Sequence, residues 1–181
     1  MDFNLTDDQT AFRDAARRFA EDKLAPHAAK RDEEAIFPVE VLREAAARGF
    51  AGIYVSEDVG GSALTRTDAA LIFEALAQGC TSTSAFMSIH NMSGWMIDRF
   101  GHEDQRQQCL TNLPSMAQIA RNFPTDTRAG SDADANTTTA MRDGGDYALN
   151  GGKATITGAA LSDASVPVAR TRADGPKGVT T

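Results

Sequence analysis

Phe86-Met87-Ser88-Ile89-His90-Asn91-Met92-Ser93-Gly94-Trp95-Met96-Ile97-Asp98-Arg99-Phe100 is the stretch on which the fold turns. Its side chains Met87, Ile89, Met92, Trp95, Met96 and Ile97 wrap most of the way round a helical wheel, the pattern of a buried central helix. Gly101 closes it. His90, within this apolar run, reads as a core histidine with its hydrogen bonds satisfied rather than as a metal ligand.

On the N-terminal side lie shorter amphipathic helices. Thr6 followed by Gln9 forms a capping box that opens a stripe of Phe12, Ala16, Phe19, Ala20 and Leu24. Pro26 marks a break or a new first turn. Pro38, at a first helical position, opens a second stripe of Leu42, Ala45 and Ala46 that closes at Gly49. After the Gly60-Gly61 turn, Asp68 precedes Ala69, Ile72, Phe73 and Leu76, and Gly79 stops that period. Beyond Gly101, Glu103 to Leu113 reads as a last amphipathic helix before Pro114. Phe12, Phe19, Phe73, Leu76, Met96 and Ile97 are the expected shared core.

The texture changes after residue 117. Short β-branched runs at Thr137–Met141, Tyr147–Leu149, Ala154–Thr157 and Val166–Ala169 alternate with the turns Asp143-Gly144-Gly145-Asp146 and Asn150-Gly151-Gly152. The expected fold class is α+β, an all-α N-terminal domain over 1–116 followed by an incomplete antiparallel β-domain over 117–181. Four short strands with no covering layer leave edges exposed, so the second domain is expected to be truncated.

Charge narrows the function. Eighteen Lys plus Arg against 25 Asp plus Glu give a net charge of −7. That sign argues against a nucleic-acid surface and against a polybasic membrane contact. No apolar run is long enough to span a bilayer. The acidic N-terminus is unlike a targeting peptide, and two cysteines, Cys80 and Cys109, fit a reducing compartment, so a cytoplasmic location is expected. His27, His90 and His102 are too scattered, and the cysteines too far apart, for a metal centre. Asp132-Ala133-Asp134-Ala135-Asn136 has the alternation of a calcium loop, but Thr137 stands where a glycine is needed, so it reads as a solvated turn. The loop Thr125 to Ser131, rich in hydroxyls and small residues, suits the polar edge of a ligand, although a plain surface loop has the same composition.

Longer segments carry a family resemblance. Ile53-Tyr54-Val55-Ser56-Glu57-Asp58-Val59-Gly60-Gly61, Leu71 to Thr83, Ser88-Ile89-His90-Asn91-Met92 with Trp95-Met96-Ile97-Asp98, Gly101-His102-Glu103-Asp104-Gln105, Ala129-Gly130-Ser131-Asp132, and Leu149-Asn150-Gly151 with Lys153 together resemble the acyl-CoA dehydrogenases, within them the isobutyryl-CoA dehydrogenase branch. The resemblance implies a helical domain, a middle β-domain and a C-terminal four-helix bundle, commonly in a homotetramer. It also implies FAD as cofactor and α,β-dehydrogenation of a short branched acyl-CoA, with electrons leaving to an electron-transferring flavoprotein. By the same resemblance Thr125, Ser131, Ile156 and Thr157 contact FAD, and Ser131 also contacts the acyl-CoA. The family's Thr-Glu-Pro-Gly-Ala-Gly-Ser-Asp reads here Thr125-Asp126-Thr127-Arg128-Ala129-Gly130-Ser131-Asp132. Thr155 stands at an aromatic position, and Asn122 where tyrosine is common. Asp174 to Thr181 resembles a point about halfway through the middle domain, so the catalytic glutamate is expected beyond it and no catalytic residue is assigned. Two expectations follow: an enzyme of this kind, inactive as this chain alone, or a non-catalytic relative that serves as a helical interaction module without flavin.

Overall fold

The computed structural model describes residues 4–172 and 178–181. The segment 174–177, part of the middle-domain resemblance, lies outside the described residues. The chain divides into two compact units, Met1–Ile119 and Ala120–Thr181.

The first unit is helical: α1 (Asp7–Phe19), α2 (Ala28–Glu33), α3 (Val39–Ala46), α4 (Arg66–Gly79), α5 (Thr81–Phe100) and α6 (Glu103–Leu110). The Thr6–Gln9 capping box opens α1, and a second box, Thr65–Asp68, opens α4. The two boxes are joined, because the Gln9 side-chain amide also donates to Asp68 at 3.1 Å. Pro26 falls in a short 3-10 turn, Ala25–His27, behind a π-turn at Ala20–Leu24. Widening the helix just before a proline moves the preceding carbonyls away from its ring. Pro38, expected at the first helical position, instead stands at the N-cap of α3, one residue before its start, where it makes no side-chain capping bond. A Cβ on Gly79 would stand 2.6 Å from the carbonyl oxygen of Ala20 and 2.9 Å from its Cβ, so only glycine allows α4 this close to the π-turn.

Of the expected core, Phe19 and Leu76 are buried, while Phe12 and Phe73 are partly buried and packed against the same cluster. Met96 and Ile97 are not in it, and the reason lies in α5. That helix buries Thr83, Ser84, Phe86, Met87, His90, Asn91, Ser93 and Gly94. Ile89, Met92, Trp95, Met96 and Ile97 stay half-exposed among the described residues. The buried face is polar because it lies against irregular backbone whose groups have no regular partner. Asn91 accepts from Ile53 N–H at 2.7 Å and donates to the carbonyls of Phe50 and Met87 at 2.8 and 2.9 Å. His90 Nε2 meets the Leu113 carbonyl at 3.0 Å, the satisfied core role expected of it. Seven residues beyond Asn91, Asp98 accepts from Ser56 N–H and Oγ at 3.0 and 2.7 Å. Arg106 of α6 then closes on Asp98, Asp58 and Glu103. Trp95 stacks under the Arg66 guanidinium at 4.3 Å, on whose other ring contact, Tyr54, the distance is 4.1 Å.

The second unit contains β1 (Ala120–Phe123), β2 (Thr139–Asp143), β3 (Asp146–Asn150), β4 (Ala164–Pro167), β5 (Ala169–Arg170) and β6 (Val179–Thr180). The hairpin β2–β3 forms around Gly144-Gly145, with Asp143 opposite Asp146. A second antiparallel pair joins β5 and β6. Parallel contacts add to them: β1 with β4 in a two-stranded sheet, and β2 with β5 in the four-stranded order β3-β2-β5-β6. Two strand expectations change. Val166–Ala169 is divided between β4 and β5, so one segment passes from one sheet to the other. Ala154–Thr157 is not a strand, because Thr155 takes a left-handed conformation, φ 53°, that breaks extended pairing.

Asn91→Ala is expected to destabilise the helical unit by about 2–5 kcal/mol, because Ile53 N–H and the Phe50 carbonyl would be left buried and unpaired. The exposed Arg99→Ala on the same helix should stay within about 0.5 kcal/mol. Denaturant titration of both variants checks this, and equal small effects would show that the amide is dispensable.

Candidate functional site

The second unit brings together two segments 28 residues apart in sequence, taking Thr125 to Lys153. β1 is fixed by its parallel pairing with β4 and delivers the chain through Pro124 to Thr125. There Asp126 forms an antiparallel bridge with Lys153. Ala154 N–H donates to the Thr125 carbonyl at 3.2 Å, and Thr127 N–H to the Gly152 carbonyl at 3.3 Å. Gly151, at φ +153°, permits this approach, since a Cβ there would stand 2.6–2.9 Å from Thr138. Just beyond, Ala159 N–H closes a turn on the Ile156 carbonyl at 3.3 Å.

One carboxylate organises the junction. Asp126 is 3% exposed. It accepts from Thr138 N–H at 2.8 Å and Oγ1 at 2.9 Å, and from Thr137 N–H at 3.0 Å. The hydroxyls of Thr137 and Thr127 add contacts at 3.2 Å, and Arg128 N–H a longer one at 3.4 Å. Burial works against the charge, but the Thr138, Thr137 and Arg128 donors outweigh it and hold the carboxyl far below the ordinary carboxylate range. Asn136, also buried, donates to the Pro124 carbonyl at 3.2 Å and accepts from Thr138 N–H at 3.1 Å. Reading the sequence singled out neither residue as an organiser. The signal available was an aspartate two residues before a non-proline N–H, the pattern of an Asx turn.

Thr125, Ile156 and Thr157 are half-buried, and Ser131 is exposed. The hydroxyls of Thr127, Thr137, Thr138 and Thr155 all have partners. Those of Thr125, Ser131 and Thr157 have none among the described residues. A Cβ at Gly130 would meet nothing within 4 Å. Lys153 Nζ and Asn122 Oδ1 are buried without a hydrogen-bond partner. Thr155 is exposed and offers no ring. Among the described residues no three His, Cys, Asp or Glu side chains gather as a metal ion would require.

Comparison with known proteins places this geometry. Residues 6–117 match the acyl-CoA dehydrogenase N-terminal domain, and residues 123–181 match the acyl-CoA dehydrogenase middle domain. The chain belongs to the acyl-CoA dehydrogenase family. It is 50% identical over 176 residues to mitochondrial isobutyryl-CoA dehydrogenase of Dictyostelium discoideum, and 47% identical over 175 residues to that of Bos taurus. Those alignments take in 97% of this chain but 42% of each relative, so the chain spans under half the length of the curated relatives it matches. An FAD complex of PigA superposes with a TM-score of 0.91 at 37% identity, over 99% of this chain and 48% of the other.

The residues present fit an acyl-CoA dehydrogenase flavin on one edge. Three hydroxyls without partners among the described residues supply hydrogen-bond donors and Gly130 leaves an open approach, while Thr155 offers no aromatic packing surface. Burial lowers the Lys153 pKa, with the Asp126 charge opposing it. The folded chain therefore releases this proton at lower pH than the unfolded chain, which binds more protons in the window just below the ordinary lysine range. Stability should rise with pH across that window. In Lys153→Met the rise should vanish, and stability at neutral pH should be unchanged or higher by up to about 2 kcal/mol. Chemical denaturation across alkaline pH measures both, and a loss above about 1 kcal/mol at neutral pH would mean that the ammonium is paired in solution.

Proposed function

We propose that this chain forms the helical and flavin-side parts of an FAD-dependent enzyme that dehydrogenates a short branched acyl-CoA of the isobutyryl type. The observation that carries the reading is the set of hydroxyls on Thr125, Ser131 and Thr157, without partners among the described residues, on two segments that the Asp126 junction joins. The identity of about half to two isobutyryl-CoA dehydrogenases supports the choice of substrate class. When bound, the flavin supplies the acceptor for the hydride leaving the β-carbon. Thr125 and Thr157 would hydrogen-bond the ring edge, Ile156 would pack beside it, and Ser131 would reach both FAD and the acyl-CoA.

Preorganised donors of this kind matter because the α-proton of a thioester becomes acidic only when its carbonyl is polarised. The chain's own residues therefore bind and orient. No residue of the chain is assigned as the base. As in the family, a homo-oligomer and an electron-transferring flavoprotein are the partners proposed for the whole enzyme.

Titration of the isolated chain with FAD should show no tight quenching of flavin fluorescence, because the ring would stay largely solvated instead of enclosed. Fusion to the C-terminal remainder of the Dictyostelium discoideum isobutyryl-CoA dehydrogenase should yield a yellow protein. Its flavin band should bleach on anaerobic addition of isobutyryl-CoA. A fusion that folds but neither binds FAD nor bleaches would favour the helical interaction module.

A further inference from the structure

We infer that Asp126 is a positioning residue: its buried carboxylate fixes the turn that presents Thr125 and Ser131 to the ligand. This rests on the flavin reading for what the turn presents, but not for how the turn is held.

Thr127-Arg128 carries no ring-locked φ, and since Arg128 has no left-handed φ the turn makes no use of a glycine there. Left to itself such a turn would sample many conformations. The structure holds it in three ways, all through Asp126. Its carboxylate accepts from Arg128 N–H, two residues on, at 3.4 Å, which is the Asx-turn bond. Its own N–H donates to the Ala129 carbonyl at 2.8 Å, and its carbonyl receives Ala129 N–H at 3.3 Å, so the turn is closed on both sides. Its carboxylate then ties the turn to Thr137 and Thr138, at the entry to β2. The hydroxyl of Thr127, the residue at the proline position, joins the same carboxylate at 3.2 Å.

An aspartate is the right length for this. Its oxygens reach back onto the adjacent loop and are filled there, which leaves Lys153 Nζ, across the backbone bridge, buried with no hydrogen bond. The carboxylate also occupies the hydroxyls of Thr127, Thr137 and Thr138, and Thr155 bonds the Ala154 carbonyl, so among the described residues the hydroxyls of Thr125, Ser131 and Thr157 are the ones left on the two segments. Of the two turn residues, Thr127 matches Asp126 through its side-chain hydroxyl, while position 128 contributes a backbone N–H that any non-proline residue would supply.

Residue-resolved hydrogen exchange of the 181-residue chain tests this without any cofactor. Asp126→Ala should speed exchange at the Thr137 and Thr138 amides by about tenfold or more, the scale of losing a charged hydrogen bond, and at the Ala129 amide as the turn loosens. The amides of α4 and α5 should be unaffected. Asp126→Asn keeps the shape and one acceptor oxygen, so it should loosen the same amides less than Asp126→Ala does. Thr127→Ala, which removes one hydroxyl donor and keeps the N–H bond to the Gly152 carbonyl, should leave the Thr138 amide slow.

In the fusion protein, Asp126→Ala should weaken FAD binding by about tenfold or more. Unchanged exchange at Thr137 and Thr138 in Asp126→Ala would overturn the inference. A wild-type fusion that binds no FAD would defeat the flavin reading and leave the exchange result to decide this one.

Discussion

Buried backbone N–H and carbonyl groups must be paired, and in this chain the segments that regular structure cannot pair are served by buried polar side chains. Asp126 is the leading case. Six donor groups from residues 127, 128, 137 and 138 converge on its carboxylate, and the junction of two distant segments follows. Asn91 has the matching role in the helical unit, holding the 50–53 backbone to α5, with Asp98 two turns along the same helix holding Ser56. In both units the apolar core supplies cohesion, but these polar groups decide which irregular path the chain takes between elements.

For function, the consequence is a division of labour among hydroxyls. Residues 125–157 of the second unit are rich in Ser and Thr, and a loop of that composition can satisfy itself in many ways. A charged acceptor at 126 removes that freedom by engaging Thr127, Thr137 and Thr138, so that Thr125, Ser131 and Thr157 remain available. Preorganisation of this kind lowers the cost of ordering a loop on binding. The order of the turn at Thr127-Arg128 therefore depends on the carboxylate staying ionised.

Much of the fold was legible in the sequence. The capping box at Thr6, the hairpin turn at Gly144-Gly145 and the core position of His90 rest on local chemistry that tertiary context rarely overrides. Periodicity misled at α5, where Met96 and Ile97 were expected inside. An apolar count cannot show that the opposite face is needed polar, because that need is set by the backbone of residues 50–56, far away in sequence. The Ala154–Thr157 strand failed for a similar reason, since a β-branched run carries no mark of the left-handed Thr155. At the site, the loop from Thr125 to Ser131 stood out by its hydroxyls and small residues, whereas Ile156 and Thr157 were reached only through family resemblance. Asp126 lay inside the motif yet stood there as a departure, since its partners at 137 and 138 are eleven and twelve residues downstream.

The carboxyl of Asp126 can be observed directly. Carbon-13 NMR of the labelled side chain, followed as the pH is lowered, reports its ionisation in the folded chain. The expected result is a carboxylate that stays ionised through the ordinary aspartate range and down to the pH at which the second unit unfolds. Titration near the ordinary value, with the fold intact, would show that the surrounding N–H and hydroxyl groups do not hold the charge and would contradict its place at the centre of the site.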